Sequence, residues 1–481
     1  MMNRSMTNPE WQRAITRRAL LARGGLSLAP IALGCLLNDQ VRSSEPSSRT
    51  VSPQFVPRAK SVILLTMAGG PSQIDLFDPK PKLDELDGQP ISPKLIEGEK
   101  FALIRREFKL LRSPYRFAKH GESGADFSEL LPHMANIADD FTIVRSMTTD
   151  SFNHDPAQLL FNTGSTIPGR PAMGAWLSYG LGSECRDLPS FVVMLSGEGQ
   201  PLGAHCWSSG FLPAAHQGVQ FRSGGDPVLY LSDPAWADRA TRRRSLDALR
   251  ELNQLEQART LDPEIESRIA AYELSFRMQA SVPSLMDLSG ESLATHELYG
   301  TSEGNAAFAQ NCLQARRMVE RGVRFVQIYH RDWDHHGLRE TGGIDASLPA
   351  RCREVDRATA ALITDLKQCG LLDSTLVVWG GEFGRTPLRE SSAKTKYPGR
   401  DHHRRAFTIL LAGGGLKSGT TFGATDELGY FVTENPVHVH DLHATLLHCL
   451  GLDHEQLTYR HLGRDFRLTD VRGRVVAEIQ A

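Results

Sequence analysis

The sequence lacks an excess of charge of either sign and has little cysteine. Its 54 lysine and arginine residues are balanced by 56 acidic residues, which leaves a formal net charge of −2. Nothing in this balance predicts a nucleic-acid partner or a basic membrane-binding face. Seven cysteines in 481 residues are too few and too scattered for a disulfide framework. Cys312 and Cys449 lie in helix-like patterns and are predicted to be buried, whereas Cys185 and Cys206 lie in loop-like stretches and could pair outside the cytoplasm.

Several common catalytic motifs are also missing. The chain has no P-loop, no strand-borne Gly-x-Gly-x-x-Gly, no Gly-x-Ser-x-Gly elbow and no Cys-x-x-Cys pair. Histidine is the residue type with an informative distribution, because its 17 copies gather at 330–336, 402–403 and 438–454.

The N-terminal segment has an apolar run that is too short to span a bilayer comfortably. Arg17 and Arg18 precede this run, which extends from about residue 24 to residue 37 and ends at a polar break. We therefore expect residues 1–37 to be a twin-arginine signal that directs the folded protein to the periplasm or another extracytoplasmic location. The four residues before Cys35 loosely resemble a lipoprotein cleavage box, so membrane attachment is expected only through a lipid anchor at Cys35.

The remaining chain alternates apolar runs with helical patterns. Residues 38–58 are rich in Ser, Pro and Arg and predict a flexible linker. Buried strands are predicted at 61–67, 141–144, 191–194, 323–329, 375–379 and 406–411, and helices at 236–280, 305–321 and 349–369. This alternation predicts an α/β fold with a mostly parallel central sheet and helices on both faces. We expect one domain at 59–470 and a C-terminal tail at 471–481.

Polar clusters follow several predicted strands, at the edge where parallel sheets bind ligands. Asp334 and His336 follow one strand, and Glu382 and Arg385 follow another. A carboxylate with imidazoles suits zinc, manganese or iron and suits calcium poorly. A solvated polar loop at 330–337 and a structural Glu–Arg pair are the alternatives.

The other histidines have either a chemical or a structural interpretation. His402, in a run of basic residues, is either a ligand or part of an anion clamp, or it lies in a solvated turn. His154 begins a helix-like segment with Pro156 near its start, and it could be a ligand, a base, a nucleophile or a residue without a chemical role. The histidines at 438, 440 and 443 are more often structural.

Four segments together resemble the domain of unknown function 1501 family. They are Leu64 to Lys80, Trp333-Asp334-His335-His336, Gly381 to Pro387 and Gly399-Arg400-Asp401-His402-His403. The resemblance covers about Lys60 to Leu468. This family is usually exported by twin-arginine signals, is similar to the alkaline phosphatase and sulfatase superfamily, and has no established substrate.

The resemblance to the superfamily includes clear departures. His154 takes the position of the sulfatase nucleophile, with Pro156 on the motif proline, and Glu382 stands where the superfamily has a metal-binding Asp. Gly69 and Gly70 occupy the end of the first strand, where one or two metal-binding Asp residues are usual. Asp75 could substitute for them from further along the loop.

The resemblance implies an exported metal-dependent hydrolase of phosphate or sulfate esters, with small-molecule or polysaccharide substrates. The implied metal ligands are Asp75, Asp334, His336, Glu382 and His402. His154 is expected to act as general acid or base, and Arg385 to stabilise an anionic transition state. Zinc is the expected metal, with manganese, iron or calcium as alternatives. A catalytically inactive binding or scaffold protein on the same fold is the alternative function, and the oligomeric state is left open.

Overall fold

A computed structural model describes residues 53–481 of the chain. Within this range it does not describe residues 105–107, 198–201, 223–225, 230, 234–237, 261, 263, 304–305, 339–341 and 391–396. The predicted signal segment 1–37, Cys35 and most of the predicted linker lie outside the described residues, so these expectations stay predictions.

A nine-stranded sheet forms the centre of the described part. The strands are β1 Ser61–Met67, β2 Phe117–His120, β3 Ala125–Ser128, β4 Thr142–Thr148, β5 Phe191–Ser196, β6 Val219–Phe221, β7 Phe325–His330, β8 Thr375–Gly380, β9 Gly384–Arg389, β10 Arg400–His403, β11 Phe407–Ala412, β12 Thr420–Phe422, β13 Ala424–Thr425, β14 Val432–Glu434, β15 Val437–His438, β16 Tyr459–His461 and β17 Arg464–Phe466. The large sheet has the order β12-β4-β11-β8-β1-β7-β5-β6, and β15 also pairs with β4. β9 and β10 form a separate two-stranded sheet, as do β2 with β3, β13 with β14, and β16 with β17.

The central sheet is parallel except at β11. β1 pairs in parallel with β7 and β8, while β11 runs antiparallel to both β8 and β4. All seven residues of β1 are buried, as expected for a strand covered on both faces. The predicted mostly parallel α/β fold is therefore confirmed, and β1 has the predicted bounds.

Helices cover both faces of this sheet. Their bounds are α1 Gln73–Leu76, α2 Pro81–Leu86, α3 Pro132–Ala135, α4 His154–Thr163, α5 Met173–Leu181, α6 Arg239–Thr260, α7 Glu264–Met286, α8 Leu293–Tyr299, α9 Ala307–Glu320, α10 Ser347–Gln368 and α11 Val439–Cys449. Short 3₁₀ turns lie at Pro93–Leu95, Ala138–Asp140, Gly203–Cys206, Ala214–His216, Leu372–Ser374 and Ala477–Ile479. Side chains alternate along a strand, so β1 contributes Ile63 and Leu65 to the core under α9 and α10, and Val62 and Leu64 to the core under α4, α5 and α11.

The last residues of the chain belong to this domain. Val476 and Ile479 are buried in the core under α11, and the backbone N–H of Ala481 donates to the carbonyl of Gly415 over 2.9 Å. The structure thus packs part of residues 471–481, predicted as a tail, against the domain through the side chains of Val476 and Ile479. No helix among the described residues combines the length and apolarity needed to cross a membrane.

The cysteines follow the sequence expectations in part. Cys312 and Cys449 are fully buried in α9 and α11, as predicted. The suggested pairing of Cys185 with Cys206 is wrong, because no disulfide joins them in the structure.

The reversed direction of β11 decides which loops meet at the functional edge of the sheet. β4, β7 and β8 end at this edge, and the polar segments that follow them begin there. β11 is antiparallel to its neighbours, so it starts at the same edge. The segment just before it, which includes His402 in β10, is thereby brought beside the loops that follow the parallel strands.

Candidate metal centre

Four side chains from four separate parts of the sequence converge at this edge. They are His154, Asp334, His336 and His402, and each offers one ligand atom, all within 4.8 Å of one another. Among the described residues this is the one group of three or more His, Cys, Asp or Glu side chains that meets such a spacing. His336 and His402 are buried, whereas the Asp334 side chain is 39% exposed and that of His154 is 25% exposed. Solvent therefore reaches the cluster from the Asp334 and His154 side.

Each of the three imidazole rings directs its Nε2 atom at Asp334 Oδ1. Asp334 Oδ1 lies 3.2 Å from His154 Nε2, 2.8 Å from His336 Nε2 and 3.2 Å from His402 Nε2. The Nε2 atoms of His336 and His402 are 3.0 Å apart. Two ligands that each lie about 2.1 Å from one ion are roughly 3–4 Å apart. The spacing thus suits a single ion bound by three nitrogens and one oxygen.

The Nδ1 atom of each ring, which faces away from Asp334, contacts an oxygen atom of the protein. His154 Nδ1 is 2.8 Å from Glu382 Oε1, and His402 Nδ1 is 2.8 Å from the carbonyl oxygen of Phe152. His336 Nδ1 contacts Glu390 Oε2. Carboxylates and carbonyls that fix metal-binding histidines in this way are usual around metal sites, since they set the tautomer and the ring orientation.

Glu382 lies behind the cluster rather than in it. Its side chain is 1% exposed and also accepts hydrogen bonds from the backbone of Gly69 at 3.0 Å and from Gln158 at 3.1 Å. Gly69 has φ +117°, and a Cβ there would lie 2.8 Å from the backbone nitrogen of Asp334. Glycine at the end of β1 therefore lets the Asp334 loop and the Glu382 carboxylate approach the same backbone.

Arg385 fixes Asp334 from the interior. Its fully buried guanidinium donates to Asp334 Oδ1 over 2.6 Å, to the carbonyl of Gly70 over 2.9 Å and to that of Arg400 over 3.1 Å, and it also bonds the carbonyl of Gly69. Every guanidinium nitrogen thus has a protein acceptor. These contacts hold Arg385 against Asp334 and against the backbone that follows β1.

The electrostatics of the cluster reflect opposing effects. Burial would raise the pKa of Asp334, but the Arg385 charge and the three histidine hydrogen bonds hold it well below its usual range. Burial would lower the pKa of His154, but its hydrogen bonds to Asp334 and Glu382 raise it to about 9. Burial lowers the pKa of His402 to about 4 despite its hydrogen bond to Asp334.

The structure places Asp75 apart from the cluster. Its two carboxylate oxygens accept from Arg400 at 2.7 and 3.0 Å, and both side chains are completely buried. Ser72 Oγ donates to the same carboxylate over 2.5 Å. With these partners Asp75 closes a buried ion pair between α1 and β10, and it offers no oxygen to the four clustered side chains.

His438, His440 and His443 contact helix ends and do not belong to the cluster. His440 Nε2 is 2.9 Å from the carbonyl of Gly164 and His443 Nε2 is 2.9 Å from that of Phe161, both at the end of α4. His438 begins α11 with a capping box that involves Asp441. These contacts agree with the structural interpretation of the three histidines.

Sequence reasoning did not identify Glu390 or the Phe152 carbonyl as parts of the site. Gln158 lies four residues after His154 and therefore on the same face of α4. Glu390 is 1% exposed and follows β9. No local pattern marks it, because its partner His336 lies 54 residues away.

The fold and the cluster define a class of protein: an α/β domain with a candidate N₃O metal centre at the carboxyl edge of its sheet. The chain belongs to the family described as "Protein of unknown function (DUF1501)", whose model matches residues 59–480. No curated protein matches the sequence.

Solved structures with similar folds include three bacterial proteins. The PsFucS1 sulfatase from Pseudoalteromonas sp. is 11% identical, with 88% of this chain and 71% of that chain covered and a TM-score of 0.35. The lipoteichoic acid synthase LtaP from Listeria monocytogenes is 10% identical, with 90% and 79% covered and a TM-score of 0.37. The phosphonate monoester hydrolase SpPMH from Silicibacter pomeroyi is 15% identical, with 67% and 68% covered and a TM-score of 0.31. At these values the similarity carries no argument about the chemistry of this chain.

Proposed function

We propose that this protein is an exported metal-dependent hydrolase of phosphate or sulfate esters. The observation that carries the proposal is the convergence of three imidazole Nε2 atoms on Asp334 Oδ1, each ring being held through Nδ1 by an acceptor.

The tautomers of the rings are compatible with a bound cation. A backbone carbonyl only accepts hydrogen bonds, so His402 carries its proton on Nδ1, and the ionised Glu382 places the proton of His154 on Nδ1 as well. In the neutral rings the Nε2 atoms then direct lone pairs toward the Asp334 carboxylate. Such a set of acceptors is stable with a cation between them, or with extra protons on the rings.

The donor set favours some metal ions over others. Three imidazole nitrogens and one carboxylate oxygen suit zinc, with manganese and iron as alternatives, whereas calcium prefers a shell made of oxygens. A bound ion of this kind polarises an ester oxygen and lowers the pKa of water. Sulfate and phosphate esters both present anionic oxygens to such a centre.

The residues of the chain have distinct roles in this proposal. Asp334, His336, His402 and His154 bind the ion, while Glu382 and Glu390 orient two of the rings. Arg385 fixes the carboxylate of Asp334. The four clustered side chains, three histidines and one aspartate, are all assigned to the ion in this proposal. Ester cleavage at this centre is therefore proposed to use water as the nucleophile, without a covalent enzyme intermediate.

Folded export fits this assignment. Twin-arginine transport carries proteins that fold or acquire a cofactor before they cross the membrane, and a centre assembled from residues between 154 and 402 forms only in the folded chain. We therefore propose a periplasmic or other extracytoplasmic location. Polysaccharide esters are accessible there.

The test combines metal analysis with an ester screen. The protein purified without added metal is analysed by mass spectrometry and then assayed with p-nitrophenyl phosphate, p-nitrophenyl sulfate and sulfated polysaccharides. We expect about one equivalent of metal, and hydrolysis that is lost after chelation and restored by the same metal. Metal without turnover on any ester would instead favour the binding-protein alternative. Turnover that persists in Asp334→Ala and His336→Ala would contradict the assignment of the site.

A further inference from the structure

An apolar cavity shares no residue with the candidate metal centre. It has a volume of about 770 Å³ and lies between α5, β6 and the long helix α7. Its apolar lining includes Leu188, Val219, Leu231, Leu274 and Met278. Cavities of 300–1,000 Å³ with apolar walls and a few polar groups are typical small-molecule sites.

A chain of hydrogen bonds fixes one polar group in the wall. Ser190 Oγ donates to Ser178 Oγ over 2.7 Å, and Ser178 Oγ lies 2.9 Å from His216 Nδ1. When Ser178 Oγ donates its proton to His216 Nδ1, the ring carries its own proton on Nε2. The structure records no partner for this Nε2 among the described residues. Burial also lowers the pKa of His216 to about 4, so the ring is neutral at pH 7.

The charged residues of the lining favour an anion. Arg186 and Arg277 contribute two positive charges and Asp187 one negative charge, which leaves a net charge of +1. Arg277 Nε donates to the carbonyl of Arg186 over 2.6 Å and lies 3.9 Å from Asp187 Oδ1. The guanidinium of Arg186 is exposed and forms no ion pair within the described part of the chain.

We propose that this cavity binds a single-chain amphiphile with a carboxylate head, of the fatty-acid class. The apolar walls contact the hydrocarbon chain. The His216 Nε2–H donates to the head group, and the two arginines attract its charge. This site is independent of the proposed hydrolase function.

The first experiment is a calorimetric titration of the full-length protein with dodecanoate below its micelle concentration. Dodecyltrimethylammonium, which has the same chain and the opposite head charge, is the matched probe. We expect 1:1 binding of dodecanoate and at least about tenfold weaker binding of the cation. The cationic head group cannot accept the hydrogen bond from His216, and the two arginines repel it. No binding of dodecanoate, or equal binding of both probes, would overturn the proposal.

Three variants localise the binding. Leu274→Trp fills the cavity and is expected to abolish binding, whereas Ala280→Trp, on the exposed part of the same helix, is expected to bind normally. His216→Leu removes the donor and is expected to weaken binding about tenfold, which keeps the test informative if Leu274→Trp does not fold. Unchanged affinity in a folded Leu274→Trp or in His216→Leu would refute the site. Asp334→Ala is expected to bind dodecanoate normally, so failure of the metal assignment is separable from failure of this one.

Discussion

Glu382 forms a hydrogen bond with the nitrogen of His154 that faces away from Asp334. The carboxylate oxygen Oε1 is 2.8 Å from His154 Nδ1, while Nε2 on the other side of the ring is 3.2 Å from Asp334 Oδ1. The ring thus connects a buried carboxylate to a partly exposed one. This relationship separates the residues proposed to bind the ion from those proposed to orient them.

The first prediction concerns the metal content of ligand variants. Asp334→Ala and His336→Ala are expected to lose the bound metal, because each removes one of four ligands and the oxygen of Asp334 faces all three rings. Mass spectrometry of the purified proteins measures this loss. Asp332→Asn, a change in the same loop at a carboxylate that pairs with Arg331, is the control and is expected to retain the metal. Equal metal content in all three proteins would contradict the site.

The second prediction tests Glu382 as an orienting residue. Glu382→Gln keeps an acceptor for His154 Nδ1 but removes the negative charge, so metal affinity is expected to fall by about 10–100-fold while binding persists. Competition with a chelator of known affinity measures the change. A complete loss of metal, equal to that of Asp334→Ala, would favour direct ligation by Glu382 instead.

The third prediction concerns Arg385. Replacement by Met leaves Asp334 and several buried carbonyls without their donor, and it is expected to lower the free energy of unfolding by about 3–5 kcal/mol. Chemical denaturation followed by circular dichroism measures this loss. Arg389→Met, at an exposed position of the same strand, is the matched control. A stable Arg385→Met variant that retains its metal but loses turnover would support the catalytic role predicted from the sequence.

The fourth prediction distinguishes Asp75 from a metal ligand. Asp75→Asn weakens the buried pair with Arg400, and we expect a loss of stability of about 3 kcal/mol with metal content unchanged in the folded protein. Thermal unfolding and metal analysis of the same preparation provide both values. Loss of metal at full stability would reverse this interpretation.

The fifth prediction is a pH dependence that arises at His443. Burial lowers the pKa of His443 to about 3, whereas the ordinary value in the unfolded chain is 6.5. Between these values the unfolded state binds the extra proton, so stability falls as the pH decreases from about 6.5 toward 3. His443→Gln is expected to lose less stability than the wild type between pH 7 and pH 4.5, by about 2 kcal/mol. The exposed His133→Gln is the control, and denaturant titrations at the two pH values measure the difference. Parallel losses in all three proteins would show that His443 does not contribute.

The sequence by itself determined the framework of this protein. Continuous apolar runs with β-branched residues define buried strands such as β1, and their alternation with helical patterns requires a mostly parallel sheet covered on both faces. Because parallel strands end at one edge, the sequence also indicated that Asp334, His336 and Glu382 would lie near each other.

Only the tertiary structure decided which of these side chains face one another. Asp75 and Glu382 are carboxylates close to strand ends in the sequence, yet one is paired with Arg400 and the other holds His154. His402 lies in the cluster because β11, the strand that follows it, is antiparallel to its neighbours. Glu390 contacts His336, which is 54 residues away in the sequence. Local sequence patterns encode burial and periodicity, whereas a ligand set depends on the directions of side chains that long-range packing brings together.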